Sequence, residues 1–178
     1  TKGIVLSTIK YSDTSIIVRI FTEKFGTLSY IINGVRSKKS KQNAGLFQPL
    51  SLLALESYHR KEKNLQRLKE YKQAYLFKSV LFDIKKATIA LFLTEVLQKC
   101  LKEEEPNEPL FQFIERAIIR LDESEKLHAV FHLWFLLRLS KYLGFQPHGA
   151  YSDDTPVFDI QDGVFTSQDK ANGIGIPY

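Results

Sequence analysis

Between Glu23 and Glu56 the chain carries no carboxylate, and inside that interval Arg36, Lys38, Lys39 and Lys41 crowd one short stretch, residues 34–43. Cations at this density neutralise phosphates and release their counterions, which grips a nucleic-acid backbone without reading its sequence. A second cationic cluster, Arg60, Lys61 and Lys63, is interrupted only by Glu62. The remaining chemistry-bearing residues form no catalytic set. His128 and His132 have a spacing that can bind zinc on a helix, but no His-Glu-x-x-His motif or nearby cysteine completes it. His59 and His148 lie far from both. Glu103, Glu104 and Glu105 are adjacent in sequence and so diverge instead of converging on one point. Cys100 falls on an apolar helical stripe and reads as a buried thiol. Gly173 and Gly175 lack the strand–turn–helix setting of a phosphate loop. The chain therefore reads as a binding protein and not an enzyme.

The elements that must hold the basic stretch are β segments. Residues 3–11 are rich in Ile, Val and Thr and end at Ser12 and Asp13, a turn signal. Residues 15–22 alternate Ile17, Arg19 and Phe21 with Ile16, Val18 and Ile20, which predicts a well-buried strand with Arg19 facing out. Residues 23–26 read as a hairpin turn, with Gly26 free to take positive φ. Residues 27–33 make a third strand. Residues 46–58 are expected to be a fourth, with Pro49 at an edge or bulge. Residues 65–77 fit either a helix or a strand by periodicity; a strand is preferred because it closes a five-stranded barrel. Five short strands with one basic face describe an OB-fold. On it Lys10 and Arg19 join the loop cations as candidate DNA contacts, with Tyr11 and Tyr30 lining the face between them.

The second half reads as helical. Residues 84–102 place Ile89, Leu93, Val96, Leu97 and Cys100 on one stripe. An acidic linker, 102–109, leads to a helix start at Asn107 and Pro109, and 110–121 repeat the apolar pattern. Ser124 is expected to cap a third helix, 126–143, apolar nearly all round and so the buried centre of its domain. Gly144 and Pro147 end it. Residues 155–167 predict a hairpin turning at Asp162 and Gly163. The fold class is thus α+β in two domains: a five-stranded OB barrel over 1–77, then a mainly helical domain with a small β hairpin over 78–178.

The net charge of +5 conceals a division. Residues 1–77 hold 14 Lys and Arg against 5 Asp and Glu, or +9, whereas residues 78–178 hold 11 against 15, or −4. Such asymmetry points to a polyanion-binding module joined to a part with another task. The longest apolar run, 129–139, is interrupted by His132 and Arg138 and is too short for a membrane span. One cysteine and no signal-peptide pattern at the start suit a reducing cytoplasm.

Several stretches together resemble a known family. Gly3-Ile-Val-Leu, Tyr11-Ser-Asp-Thr-Ser, Phe21-Thr-Glu-Lys-Phe-Gly26, Asn33-Gly-Val-Arg36 and Leu46-Phe-Gln-Pro49 do so in the first half. In the second, Leu93-Thr-Glu-Val-Leu-Gln, Glu104-Glu-Pro-Asn-Glu-Pro-Leu-Phe and the Tyr-Leu-Gly-Phe-Gln-Pro ending at Pro147 continue the order. The set is similar to the bacterial RecO family of DNA repair proteins, of the RecFOR recombination pathway. That resemblance implies an N-terminal OB-fold that binds single- and double-stranded DNA and a helical domain behind it. It implies annealing of complementary strands and, with RecR, loading of RecA onto strands coated by single-stranded DNA-binding protein (SSB), in the bacterial cytoplasm at the nucleoid. It also implies a site for the acidic-aromatic SSB tail on the helical domain, for which Arg138 and Lys141 are the candidates. The chain is expected to stop before the family's C-terminal helices. Many relatives carry a four-cysteine zinc site after the Leu-Gly-Phe turn. Residues 148–169 contain no cysteine, so no metal or other cofactor is expected and packing should hold the hairpin. Two other readings of the residues stay open: an RNA-binding OB module, and a protein-interaction adaptor whose basic face takes an acidic peptide.

Overall fold

The computed structural model describes residues 1–35, 45–58, 63–125, 130–168 and 175–177. Five strands close a barrel: β1 (Lys2–Lys10), β2 (Ile16–Thr22), β3 (Gly26–Ile32), β4 (Leu52–Tyr58) and β5 (Leu65–Gln73). Their order around the barrel is β1-β2-β3-β5-β4, with β1 bonded on both sides and β3–β5 the parallel pair. This is the expected OB-fold. Strict alternation places Ile16, Val18, Ile20, Leu28, Tyr30, Ile32, Leu53 and Leu55 in its interior. The first hairpin closes as the sequence predicts. Gly26 has φ +65°, and the Thr22 hydroxyl accepts from the Phe25 N–H and donates to the Gly26 carbonyl.

The fourth strand is shorter than expected. A 3-10 turn, Gly45–Phe47, and a bend through Pro49 and Leu50 precede it, with Leu50 at φ +65°. Pro49 thus ends a turn outside the sheet. The turn is held by burial: Phe47 enters the core, its ring 4.9 Å from that of Tyr71, and its carbonyl accepts from the Thr8 hydroxyl at 2.7 Å.

By packing, the chain forms two compact units, Thr1–His128 and Ala129–Tyr178. The first unit contains the barrel and two helices, α1 (Ile84–Cys100) and α2 (Glu108–Glu123). Asp83 caps α1 and Asn107 caps α2, each accepting from backbone N–H groups of the first turn. Ser124 is the C-cap of α2, not the start of another helix. Helix α1 buries Leu93 and Leu97 but leaves Cys100 exposed, so the thiol is not part of the core. Helix α2 sits against the barrel, with the Phe111 ring 5.7 Å from Phe21 and Glu115 paired to Lys2 at 2.8 Å.

Asp122 joins the two helices to the segment that leaves the barrel. It is 2% exposed. Its carboxylate accepts from the N–H groups of Lys78, Ser79 and Val80 and from the Tyr75 hydroxyl, all at 2.8 Å. The ammonium of Lys86, also buried, donates to the Asp122 carbonyl at 2.7 Å and to the Ser79 hydroxyl at 2.6 Å. Burial alone would raise the Asp122 pKa, but the three backbone donors and Tyr75 outweigh it and hold it at about 2. The Tyr75 phenol is pushed above its ordinary range by burial and by that same carboxylate.

The second unit contains α3 (Phe131–Tyr142) and a sheet ordered β7-β6-β8, from β6 (Val157–Asp159), β7 (Val164–Thr166) and β8 (Gly175–Pro177). Helix α3 buries Phe131, Phe135 and Leu139 on one stripe, whereas Leu133 and Leu137 are exposed. It is therefore not buried all round, as its composition had suggested. Gly144 at φ +82° terminates it. The expected hairpin forms with Gly163 at φ +66°. Asp159 accepts from the N–H groups of Gln161 and Asp162 to set the turn, and the Phe158 and Phe165 rings pack 5.0 Å apart. A third strand, β8, which the sequence pattern did not reveal, pairs with β6.

Candidate nucleic-acid interface

The loop cations Arg36, Lys38, Lys39 and Lys41, and Arg60 and Lys61 of the second cluster, lie outside the described residues. The described residues that flank this stretch, Val35 and Phe47, are buried in the barrel core. Lys10 stands exposed at the end of β1, followed by the exposed Tyr11, whose N–H bonds the Ser15 carbonyl across the turn.

Two of the expected face residues have other duties. Arg19 does point outward, but its guanidinium donates to the Leu101 carbonyl at 2.8 Å. Arg19 therefore pins the segment after α1 onto the barrel instead of facing open solvent. Tyr30 is 0% exposed and belongs to the core, so its ring is not available to stack on a base. Burial raises its phenol pKa. Tyr30 shares its face of β3 with Leu28 and Ile32, opposite Ser29 and Ile31, and alternation therefore puts its ring inside.

The register of the sheet exposes a feature that no stretch of sequence contains. Ile9 pairs with Ile17, Ile17 with Ile31, Ile31 with Arg67, and Arg67 with Tyr58. These five residues form one row across all five strands. Their neighbours Ile16, Val18, Tyr30, Ile32 and Gln66 are buried, so the row faces out. It is apolar at β1, β2 and β3, and becomes cationic and aromatic at β5 and β4. Lys63 stands exposed just before β5, and on the same strand Lys69 is paired to Glu56 at 2.6 Å. The Glu56 carboxylate raises the Lys69 pKa and holds the ammonium charged. Lys63 belongs to the second cationic cluster, whereas Tyr58 and Arg67 were missed as candidates because their proximity to it depends on the β4–β5 register.

The acidic linker borders this row. Thr27 donates its N–H to the Glu103 carbonyl at 2.9 Å, and Arg19 holds Leu101, so residues 101–103 lie against the outer face of β2 and β3. The side chains of Glu103, Glu104 and Glu105 are exposed along that segment. A phosphate backbone approaching β2–β3 from this side meets three carboxylates, whereas on the β4–β5 side it meets Arg67 and Lys63.

In the second unit Arg138 and Lys141 are both exposed on α3, beside the 60% exposed Leu137. This is a cationic and apolar helix face. His148 is exposed, its backbone bridged to Val164, and among the described residues no three metal-ligating side chains converge. No helix among the described residues is long and apolar enough to cross a membrane.

Comparison with known proteins places both halves. Residues 1–77 match the model of the recombination protein O N-terminal domain, and residues 81–152 match that of the recombination protein O C-terminal domain. The DNA repair protein RecO of Flavobacterium johnsoniae is 42% identical over 167 residues, covering 93% of this chain and 70% of the relative. That of Phocaeicola vulgatus is 41% identical over 173 residues, 97% of this chain and 72% of the relative. That of Bacteroides fragilis is 42% identical over 167 residues, 94% of this chain and 69% of the relative. With similarity of this extent running in one order through the barrel and the helices, the chain belongs to the RecO family.

Proposed function

We propose that the chain acts in DNA repair as a recombination mediator and not as an enzyme. Its barrel grips the backbone of single- and double-stranded DNA and supports annealing of complementary strands. With RecR it helps load RecA onto strands coated by SSB. The observation that carries this reading is a closed OB barrel within a segment, residues 1–77, that holds +9. The relatives' shared designation as DNA repair proteins supports it. On α3, Arg138, Lys141 and Leu137 offer an acidic-aromatic SSB tail two cations beside an apolar contact. The division of tasks between 1–77 and 78–178 is part of the same reading, although barrel and first helices pack as one unit.

The test is annealing of complementary strands coated with SSB, in the presence of the purified chain. Annealing is the expected result; failure to anneal with DNA binding intact removes the mediator claim. Reversal of Lys38, Lys39 and Lys41 to Glu should weaken binding equally for all sequences. Losing three backbone contacts should flatten the log–log salt dependence on single strands by about 2. An unchanged slope would take the loop out of the interface. Tighter binding of a matched RNA than of DNA would move the reading to an RNA module.

A further inference from the structure

Where β4 ends and β5 begins lies a groove of about 420 Å³, lined by Tyr58, Lys63, Leu65, Gln66, Arg67 and Leu68. Its size falls within the range of clefts that hold small ligands. We propose that this groove is a subsite for one unpaired nucleobase, stacked on the Tyr58 ring, with its flanking phosphates held by Arg67 and Lys63. The proposal rests on the DNA-binding reading above and adds to it a residue-level contact that distinguishes single strands from duplex.

Four observations converge on it. Tyr58 is 61% exposed, a large aromatic surface left open at the end of a strand. Arg67 is its direct cross-strand partner, so both side chains leave the sheet on the same face. Lys63 enters the same groove, and its carbonyl accepts a hydrogen bond from the buried amide of Gln66, which fixes the turn that carries it. Among the described residues no carboxylate lines the groove, and Glu56, two residues before Tyr58, is already engaged by Lys69. An aromatic plane with two cations and a partly apolar floor is the chemistry of base stacking with a phosphate clamp. An acidic peptide could use the cations, but a flat exposed ring beside them favours a base.

The row described above gives the strand a path. From the groove, Ile31, Ile17 and Ile9 continue the same outward line toward Tyr11 and Lys10. The Glu103–Glu105 side chains border the opposite side and repel phosphates. A paired duplex keeps its bases stacked inside and can reach only the cations.

The experiment measures fluorescence anisotropy of the whole chain with a labelled single strand, the same strand as duplex, and a strand of abasic residues. Tyr58→Ala should weaken single-strand binding about tenfold, the scale of one lost base stack, and leave duplex binding unchanged. Tyr58→Phe should retain wild-type affinity, because stacking needs the ring and not the hydroxyl. On the abasic strand, wild type and Tyr58→Ala should bind alike. Arg67→Gln and Lys63→Gln should each lower the single-strand salt slope by about 0.7. Equal losses on single strand and duplex for Tyr58→Ala would overturn the subsite, as would no loss at all from a wild type that binds well. A wild type that binds neither strand would defeat the DNA-binding reading itself. Loss of an acidic aromatic peptide in Tyr58→Ala, with single-strand affinity intact, would make the groove a peptide site and end the proposal. Tyr58 and Arg67 are exposed, so unchanged melting of the variants separates these outcomes from misfolding.

Discussion

Replacing Asp122 by Ala should be among the most destabilising single changes in the chain. It strips the N–H groups of Lys78, Ser79 and Val80 of their acceptor and leaves the Tyr75 hydroxyl without its shorter bond. The buried Lys86 ammonium keeps its bonds to the Asp122 backbone carbonyl and the Ser79 hydroxyl, so the loss falls on the donors to the carboxylate. Leaving three backbone donors and a hydroxyl without their charged acceptor costs about 3–5 kcal/mol. At roughly 2–4 °C per kcal/mol for a chain of this size, the melting temperature should fall by about 10 °C. Asp122→Asn keeps one acceptor oxygen and should fall between. The pH dependence has a definite sign. The folded pKa, about 2, lies below that of an unfolded aspartate, so the contribution is fully present above about pH 4 and is lost as pH falls toward 2. Thermal melts across that window should show a steeper acid loss for wild type than for Asp122→Asn. Parallel curves would mean that the carboxylate is not the element that titrates.

The second large effect is expected at Gly26. A Cβ there would stand 2.5 Å from the Glu105 carbonyl oxygen and 2.7 Å from the Glu104 carbonyl carbon, with φ at +65°. The opposing atoms are backbone, so no rotamer change relieves the contact. Left-handed strain alone costs about 1–2 kcal/mol. Pushing the acidic segment off the barrel would also break the Thr27–Glu103 bond and loosen Arg19 from Leu101. Gly26→Ala should therefore cost about 3 kcal/mol in denaturant unfolding, more than the loss of conformational preference explains. A cost near 1 kcal/mol would show that the segment yields easily.

Much of the fold is legible in the chain because its local signals agree. Alternation marks β2 and β3, Gly26 and Gly163 mark their turns, and Asn107 with Pro109 marks the start of α2. The misreadings have physical causes. Leu46 and Phe47 look like strand residues, yet a 3-10 turn buries Phe47 more completely than an extended chain there would. Leu133 and Leu137 made α3 seem wholly buried, although hydrophobicity alone does not say which stripe is covered. The family resemblance points to a kind of interface but not to its residues. Arg19 and Lys63 are both basic residues in the first half; only pairing and register show that one is spent on Leu101 and the other lines a groove. Nothing in sequence announces that residues 78–80 converge on Asp122, some forty positions later.

One irregularity in β1 carries a further consequence. The pairing with β2 shifts register between Val5 and Ser7, and the extra residue, Leu6, is buried. Its carbonyl is satisfied by α1, through the Gln98 amide at 2.7 Å. The barrel thus borrows a helix to complete its own hydrogen bonding. Barrel and helices should accordingly open as one cooperative unit in native-state hydrogen exchange, with amides of β1 and α1 sharing a single opening free energy. The closed sheet and the helices behind it would then gain and lose their order together, as one folding unit.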